Sequence, residues 1–195
     1  MNAIKILLAI VLCTYASLSV AEQATVTMRQ VDSKGSGNSV GTIRVADHKD
    51  GLALLPKLKG LPSGEHGFHV HDNPSCQPME KDGQNVAGLA AGGHYDPEKA
   101  GKHASPMGKG HRGDLPALVV DDKGMATKRM VAPRLKVSDL KGRSLMIHAG
   151  GDNYSDDPQP LGGGWRTDCL WRGKVVPDGD TVIYEVRSDF VIRVR

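Results

Sequence analysis

Aromatic residues are scarce in this chain, at 4% of its length, with Trp 2, Tyr 4 and Phe 2. Charge of one sign is scarce too: Lys+Arg 25 against Asp+Glu 22 leave a formal net charge of +3. With no basic stripe and few aromatics, nucleic acid is excluded as a partner. Beyond the N-terminus no apolar run approaches the roughly 20 residues that cross a bilayer, so the mature chain is read as having no membrane span. No stretch carries a sustained helical period except residues 137–141, which predict a single turn. Cysteine is limited to Cys 3.

What is present begins with an export signal. Lys5 precedes an apolar segment at residues 6–12, and Ser19-Val20-Ala21 offers a small-residue cleavage site. The apolar segment is too short for an anchor, so cleavage after Ala21 is expected. Cys13 follows Leu12 rather than a small residue and does not read as a lipoprotein site. Cys76 and Cys169 remain, an even number that predicts one disulfide in an oxidising compartment.

The rest predicts an all-β fold of antiparallel strands. Val26 and Met28 alternate with threonines, and Ile43 alternates with Val45. Residues 52–58, 68–71 and 144–148 read as further strands. Residues 117–120 and 125–131 flank Asp121-Asp122-Lys123-Gly124, which predicts a hairpin. Gly 24 and Pro 11 suit a sandwich or barrel with many turns. Residues 73–102 and 150–164 are long, rich in Gly, Pro and Asp, and are expected to be functional loops.

Histidine carries the functional signal. Side chains alternate along a strand, so His69 and His71 share one face while Phe68 and Val70 share the other. His94, His103, His111 and His148 follow from separate segments, and Asp114 lies three residues after His111. Several imidazoles without a thiolate suit copper or zinc, and three histidines with one aspartate make a closed zinc set. His48 and His66 lie outside this pattern and read as structural.

The segments Gly67-Phe68-His69-Val70-His71, Gly92-Gly93-His94-Tyr95-Asp96-Pro97, Gly113-Asp114-Leu115-Pro116 and His148-Ala149-Gly150-Gly151-Asp152-Asn153-Tyr154-Ser155-Asp156 resemble the bacterial secreted copper/zinc superoxide dismutases. The resemblance covers about residues 24–164. It implies a Greek-key barrel or sandwich of about eight antiparallel strands. It implies copper on His69, His71, His94 and His148, and zinc on His94, His103, His111 and Asp114, one of each per subunit. His94 would be a shared, catalytic imidazolate. Asp152 would accept hydrogen bonds from one copper-side and one zinc-side histidine, and Lys81 is a candidate for steering the substrate. The implied reaction converts superoxide to oxygen and hydrogen peroxide in the periplasm, protecting the cell envelope; the family includes both monomers and dimers, so the resemblance leaves a homodimer and a monomer open. The implied division is a signal at residues 1–21, a dismutase domain at 22–174 and an atypical tail at 175–195.

The ending departs from the family. Where relatives continue Gly-Gly-x-Arg-x-Ala-Cys-Gly-Val-Ile, this chain reads Gly164-Trp165-Arg166-Thr167-Asp168-Cys169-Leu170-Trp171 and runs on to Arg195. One synonymous back-translation of residues 165–176, read one base later, gives Gly-Gly-Arg-Ile-Ala-Cys-Gly-Val-Val-Lys and a stop. A one-base frame shift near Gly162–Gly164, in the gene or in its sequencing, accounts for this; resequencing that run tests it. Arg166 and Cys169 keep the family's Arg-x-x-Cys spacing, so they stand as the guiding arginine and the disulfide partner of Cys76. Residues 181–186 and 190–194 look strand-like, as an added hairpin or as translated non-coding sequence. The alternative function is a metal-binding barrel with impaired activity because its last strand is altered. A copper-delivery module is a third reading, opposed by the complete four-histidine set.

Overall fold

The computed structural model describes residues 22–156 and the backbone of 169–177. Three long strands open the chain: β1 (Gln23–Asp32), β2 (Gly35–His48) and β3 (Gly51–Lys59). They form an antiparallel meander in which Val26 faces Ile43 and Val45 faces Leu54. The alternation seen in the sequence becomes burial: Ala24, Val26 and Met28 face inward while Gln23 and Arg29 face solvent. Short strands follow at β4 (Gly64–His66) and β5 (Phe68–His71). Beyond them come β6 (Met79–Lys81), β7 (Gln84–Val86), β8 (Leu118–Val120), β9 (Met125–Ala126), β10 (Met130–Ala132), β11 (Ser144–His148) and β12 (Cys169–Pro177).

Among the described residues the main sheet runs β10-β3-β2-β1-β12-β11-β5, with β9 also on β3. β12 returns to lie beside β1, so β12-β1-β2-β3 is the spatial order of a Greek key. Its inner face carries one core: Val26, Ile43, Leu54, Phe68, Val70, Leu118, Leu145 and Ile147 all belong to it. Pro56 lies within β3, opposite Ile43 on β2. On the other edge of β3, β10 pairs with residues 52–54 and β9 with 58–59. Pro56 therefore falls in the gap between them, where its missing N–H breaks no ladder bond.

The expected hairpin at residues 117–131 resolves differently. Its turn is present: the Asp121 carboxylate accepts from the amides of Lys123 (2.9 Å) and Met125 (2.8 Å). Gly124 there adopts φ +73°, a conformation that suits glycine. The strands it joins part company, β8 pairing with β4 and β9 with β3, and residues 127–129 break the second run. Periodicity marks strands but does not name their partners. The loop at 73–102 holds the β6–β7 ribbon and a 3-10 turn at Leu89–Ala91, and the turn predicted at 137–141 is a 3-10 turn at Val137–Leu140. The strand-like segments at 181–194 lie outside the described residues.

Leu54 is fully buried in the centre of this core. Leu54→Ala is expected to lower unfolding free energy by about 2–5 kcal/mol, read from guanidinium denaturation; a loss below about 1 kcal/mol would contradict the central placement of this side chain.

Candidate metal centre

β5 is the last strand of its sheet, and its free edge is where the site is built. Inward, Phe68 and Val70 join the core; outward, His69 and His71 are buried under the loops. Backbone groups of the following loop occupy that edge. Val70 N donates to Gly113 O (2.9 Å), Tyr95 N to Val70 O (2.8 Å) and Leu115 N to Phe68 O (3.1 Å). The result is two isolated bridges, His69 opposite Asp114 and His71 opposite His94. Gly113 makes this approach possible: a Cβ there would stand 2.3 Å from Val70 O. β11 lies on the other side of β5, with Met146 opposite His69. His148, two residues on, shares that outward face, and a bulge between Ile147 and His148 marks the end of its ladder with β12.

The sequence-predicted histidines converge in two groups. Donor atoms of His69, His71, His94 and His148 all lie within 4.8 Å of one another. In each ring, bonding outward identifies the nitrogen left facing inward. His69 Nε2 donates to Asp152 Oδ2 (2.8 Å) and His71 Nδ1 to the Gly92 carbonyl (2.9 Å). The remaining atoms, His69 Nδ1 and His71 Nε2, together with His148 Nε2, are buried without a hydrogen-bond partner. Orphaned buried polar atoms are rare and costly. Three imidazole nitrogens in one cluster fit a cation that accepts their lone pairs, and imidazole suits copper.

The second group gathers on one carboxylate oxygen. Asp114 Oδ1 lies 2.8 Å from His103 Nδ1, 3.0 Å from His94 Nδ1 and 3.5 Å from His111 Nδ1. Donor atoms of His69, His94, His103 and Asp114 also lie within 4.8 Å of one another, and the rings of His69 and His94 stack at 3.9 Å. His69 Nε2 is already committed to Asp152, whereas His111 Nδ1 is buried and unpartnered. Three nitrogens and one carboxylate oxygen fit tetrahedral zinc. His94 belongs to both groups, with Nδ1 turned to Asp114.

Asp152 ties the groups together, accepting from His69 Nε2 through Oδ2 and from His103 Nε2 through Oδ1, each at 2.8 Å. Asp156 further accepts from His103 N (3.1 Å), and the Tyr154 hydroxyl accepts from Ala117 N (2.8 Å). No sequence signal singled out these two, nor the carbonyls of Gly92 and Gly67 that hold His71 and His148 N.

Electrostatics separate the groups. Burial, then the neighbouring imidazoles of His94 and His148, holds His69 and His71 well below the usual histidine range. Burial and His94 push His148 down to about 3. Burial also lowers His94, against the opposing pull of Asp114. For His103 burial works downward, but hydrogen bonds to Asp114 and Asp152 outweigh it and raise the ring to about 9. The Asp114 carboxyl would be raised by burial; the imidazoles of His103, His111 and His94 instead hold it far below the carboxylate range.

Other expectations fall elsewhere. His66 is buried, its ring nitrogens facing the carbonyls of His148 (2.8 Å) and Pro62 (2.9 Å), a structural role as read. His48 is beside Asp50 at the surface, and Lys81 is exposed on β6. Cys76 is buried against Val31, Ala91 and Met146. Arg166 and the frame-shift region at 162–164 lie outside the described residues, as does the Cys169 side chain.

Comparison with known proteins agrees with this geometry. The family described as "Copper/zinc superoxide dismutase (SODC)" matches residues 39–169. The chain is 51% identical over 158 residues to "Superoxide dismutase [Cu-Zn]" of Escherichia coli K12, covering 80% of this chain and 91% of that protein. It is 54% identical over 145 residues to "Superoxide dismutase [Cu-Zn] 2" of Salmonella typhimurium LT2, covering 74% and 84%. Among solved structures, the Brucella abortus Cu/Zn superoxide dismutase superposes with a TM-score of 0.74 at 48% identity, covering 78% of this chain and 98% of that one. The monomeric Salmonella enterica enzyme gives 0.70 at 52% identity, covering 78% and 99%. Sequence, fold and clustered histidines thus agree, and the chain belongs to the copper/zinc superoxide dismutase family.

Proposed function

We propose that this protein dismutates superoxide at a histidine cluster holding copper on His69, His71, His94 and His148 and zinc on His94, His103, His111 and Asp114. The protein is a copper/zinc superoxide dismutase, an oxidoreductase acting on superoxide. One observation carries the ligand assignment: buried, unpartnered nitrogens of His69, His71 and His148 meet beside a carboxylate ringed by three more imidazoles. When bound, copper supplies alternating one-electron oxidation and reduction of two superoxide anions, and zinc supplies fixed positive charge.

The chain's own residues do the rest. His94 turns Nδ1 toward Asp114 on the zinc side, so Nε2 would be its copper-side atom and, when not holding copper, would carry one of the two protons that hydrogen peroxide needs, the other coming from solvent. Asp152 orients His69 and His103 from outside, and the Gly92 carbonyl fixes the tautomer of His71. Low proton affinity at His69, His71 and His148 keeps them neutral, the form that ligates. Arg166 supplies the cation that guides the substrate anion, an attraction weakened by salt.

The surrounding assignments belong to the same reading. Residues 1–21 are a signal removed after Ala21, the domain is 22–174, the tail is 175–195, and the mature protein works in the periplasm. Cys76 pairs with Cys169, whose backbone sits opposite His148 beside the strand carrying Met146, a neighbour of Cys76. A homodimer stands beside the monomer described for the Salmonella enterica relative. Native mass spectrometry of exported protein reads cleavage, disulfide and assembly together. A retained leader, a free Cys76 thiol or a monomer overturns the corresponding assignment.

His148→Ala is expected to abolish dismutation while zinc stays bound, and Arg166→Gln to lower the rate and its salt dependence with both metals retained. Unchanged activity of the first removes the copper assignment. The alternative, a metal-loaded barrel without catalysis, predicts stoichiometric metals and no activity in the unmodified protein.

The two groups also differ toward acid. Protons compete with zinc at His103, raised to about 9, but compete weakly with copper at His148, lowered to about 3. On acidification zinc should therefore leave first, as measured by metal analysis across about pH 7 to 3; copper leaving first contradicts the assignment.

A further inference from the structure

Arg134 lies between β10 and the Val137–Leu140 turn and donates from all three guanidinium nitrogens into the loop that carries His103 and His111. Nε donates to Pro106 O (3.1 Å), Nη1 to Gly110 O (2.9 Å) and Nη2 to the carbonyl of His111 itself. Among the described residues it has no carboxylate partner, so its charge is spent on backbone carbonyls alone.

The loop it holds is closed at its base, where His111 N donates to Lys102 O (3.0 Å), and is pinned to Asp114 through Ala104 N (3.0 Å). Arg134 itself stands on a fixed platform. Leu135 and Ala132 are buried on either side, Leu135 N bonds to Ala132 O (3.3 Å), and Val137 N is tied to Asp47 of β2 (2.8 Å).

His111 needs such a hold more than its neighbours do. His103 has each ring nitrogen beside a carboxylate, and His94 Nδ1 lies 3.0 Å from Asp114. The His111 ring is held more loosely: its Nδ1 lies 3.5 Å from Asp114 Oδ1, the longest of the three contacts to that oxygen, and its side chain is 19% exposed. Its ring position therefore depends more on its backbone than those of His94 and His103 do, and Arg134 grips that backbone at the His111 carbonyl.

We infer that Arg134 is a positioning residue for zinc, fixing His111 through the backbone so that the zinc group is preorganised while the copper group is untouched. This rests on His111 being a zinc ligand. The sequence offered no hint, because Arg134 lies 23 positions from His111 and binds main chain rather than a charged partner.

The test measures zinc affinity of the metal-free protein by chelator competition, with the absorption of bound cobalt(II) as a report of site geometry. Arg134→Gln is expected to weaken zinc by about 10–100-fold and change the cobalt spectrum, with copper affinity unchanged. Arg134→Lys keeps the charge without the planar fork and should fall between. Arg112→Gln, which removes an exposed loop arginine bound to Glu98, should match the unmodified protein. Unchanged zinc affinity in Arg134→Gln overturns the inference, as does loss of cooperative unfolding in that metal-free variant. If His111→Ala leaves zinc affinity intact, the ligand assignment has failed instead, independently of Arg134.

Discussion

The Asp114 carboxylate sits beneath three imidazoles, and its Oδ1 is 2.8 Å from one and 3.0 Å from another. A buried carboxylate among buried rings is destabilising without compensating positive charge. That charge is supplied by a proton held between Asp114 and Asp152 on His103, or by a metal ion in its place. The loops over β5 are arranged around this requirement. Asp114 pairs opposite His69, His94 opposite His71, and Gly113 passes close enough to Val70 to let both happen.

Around that centre the two long loops hold each other. Asp152 and Asp156 come from the segment after β11 and bind the ring and the amide of His103. Arg134 grips the same loop through three carbonyls. The proposed copper-side rings are treated differently: two are set on strand β5, one at the end of β11, and the shared fourth, His94, on the loop. One group is therefore built mostly on the barrel and the other on loops clamped to it.

Much of this was legible beforehand. The alternation at residues 68–71 placed His69 and His71 on one face, and the structure buries both there. Val26, Met28, Ile43 and Val45 were marked by the same period and lie in one core. Asp152, named from the family resemblance, lies against both His69 and His103. The hairpin at 117–131 was not legible, because a turn motif specifies four residues while partner choice depends on the edges of β3 and β4. Nor were the contacts of Asp156, Tyr154 and Arg134, whose partners are amides and carbonyls; every residue carries those, so a sequence does not mark which of them is bound.

The sequence by itself determined the all-β class, the inward and outward faces of each strand and the kind of donor atoms available for metal, since these follow from side-chain chemistry and a two-residue period. The tertiary structure decided which nitrogen of each imidazole is free. That choice depends on whether Asp152, Gly92 or Asp114 captures the other nitrogen, from as far as 83 positions away in the chain. It also decided that His94 faces both groups, because a ring has two nitrogens and only packing can put a different neighbour against each.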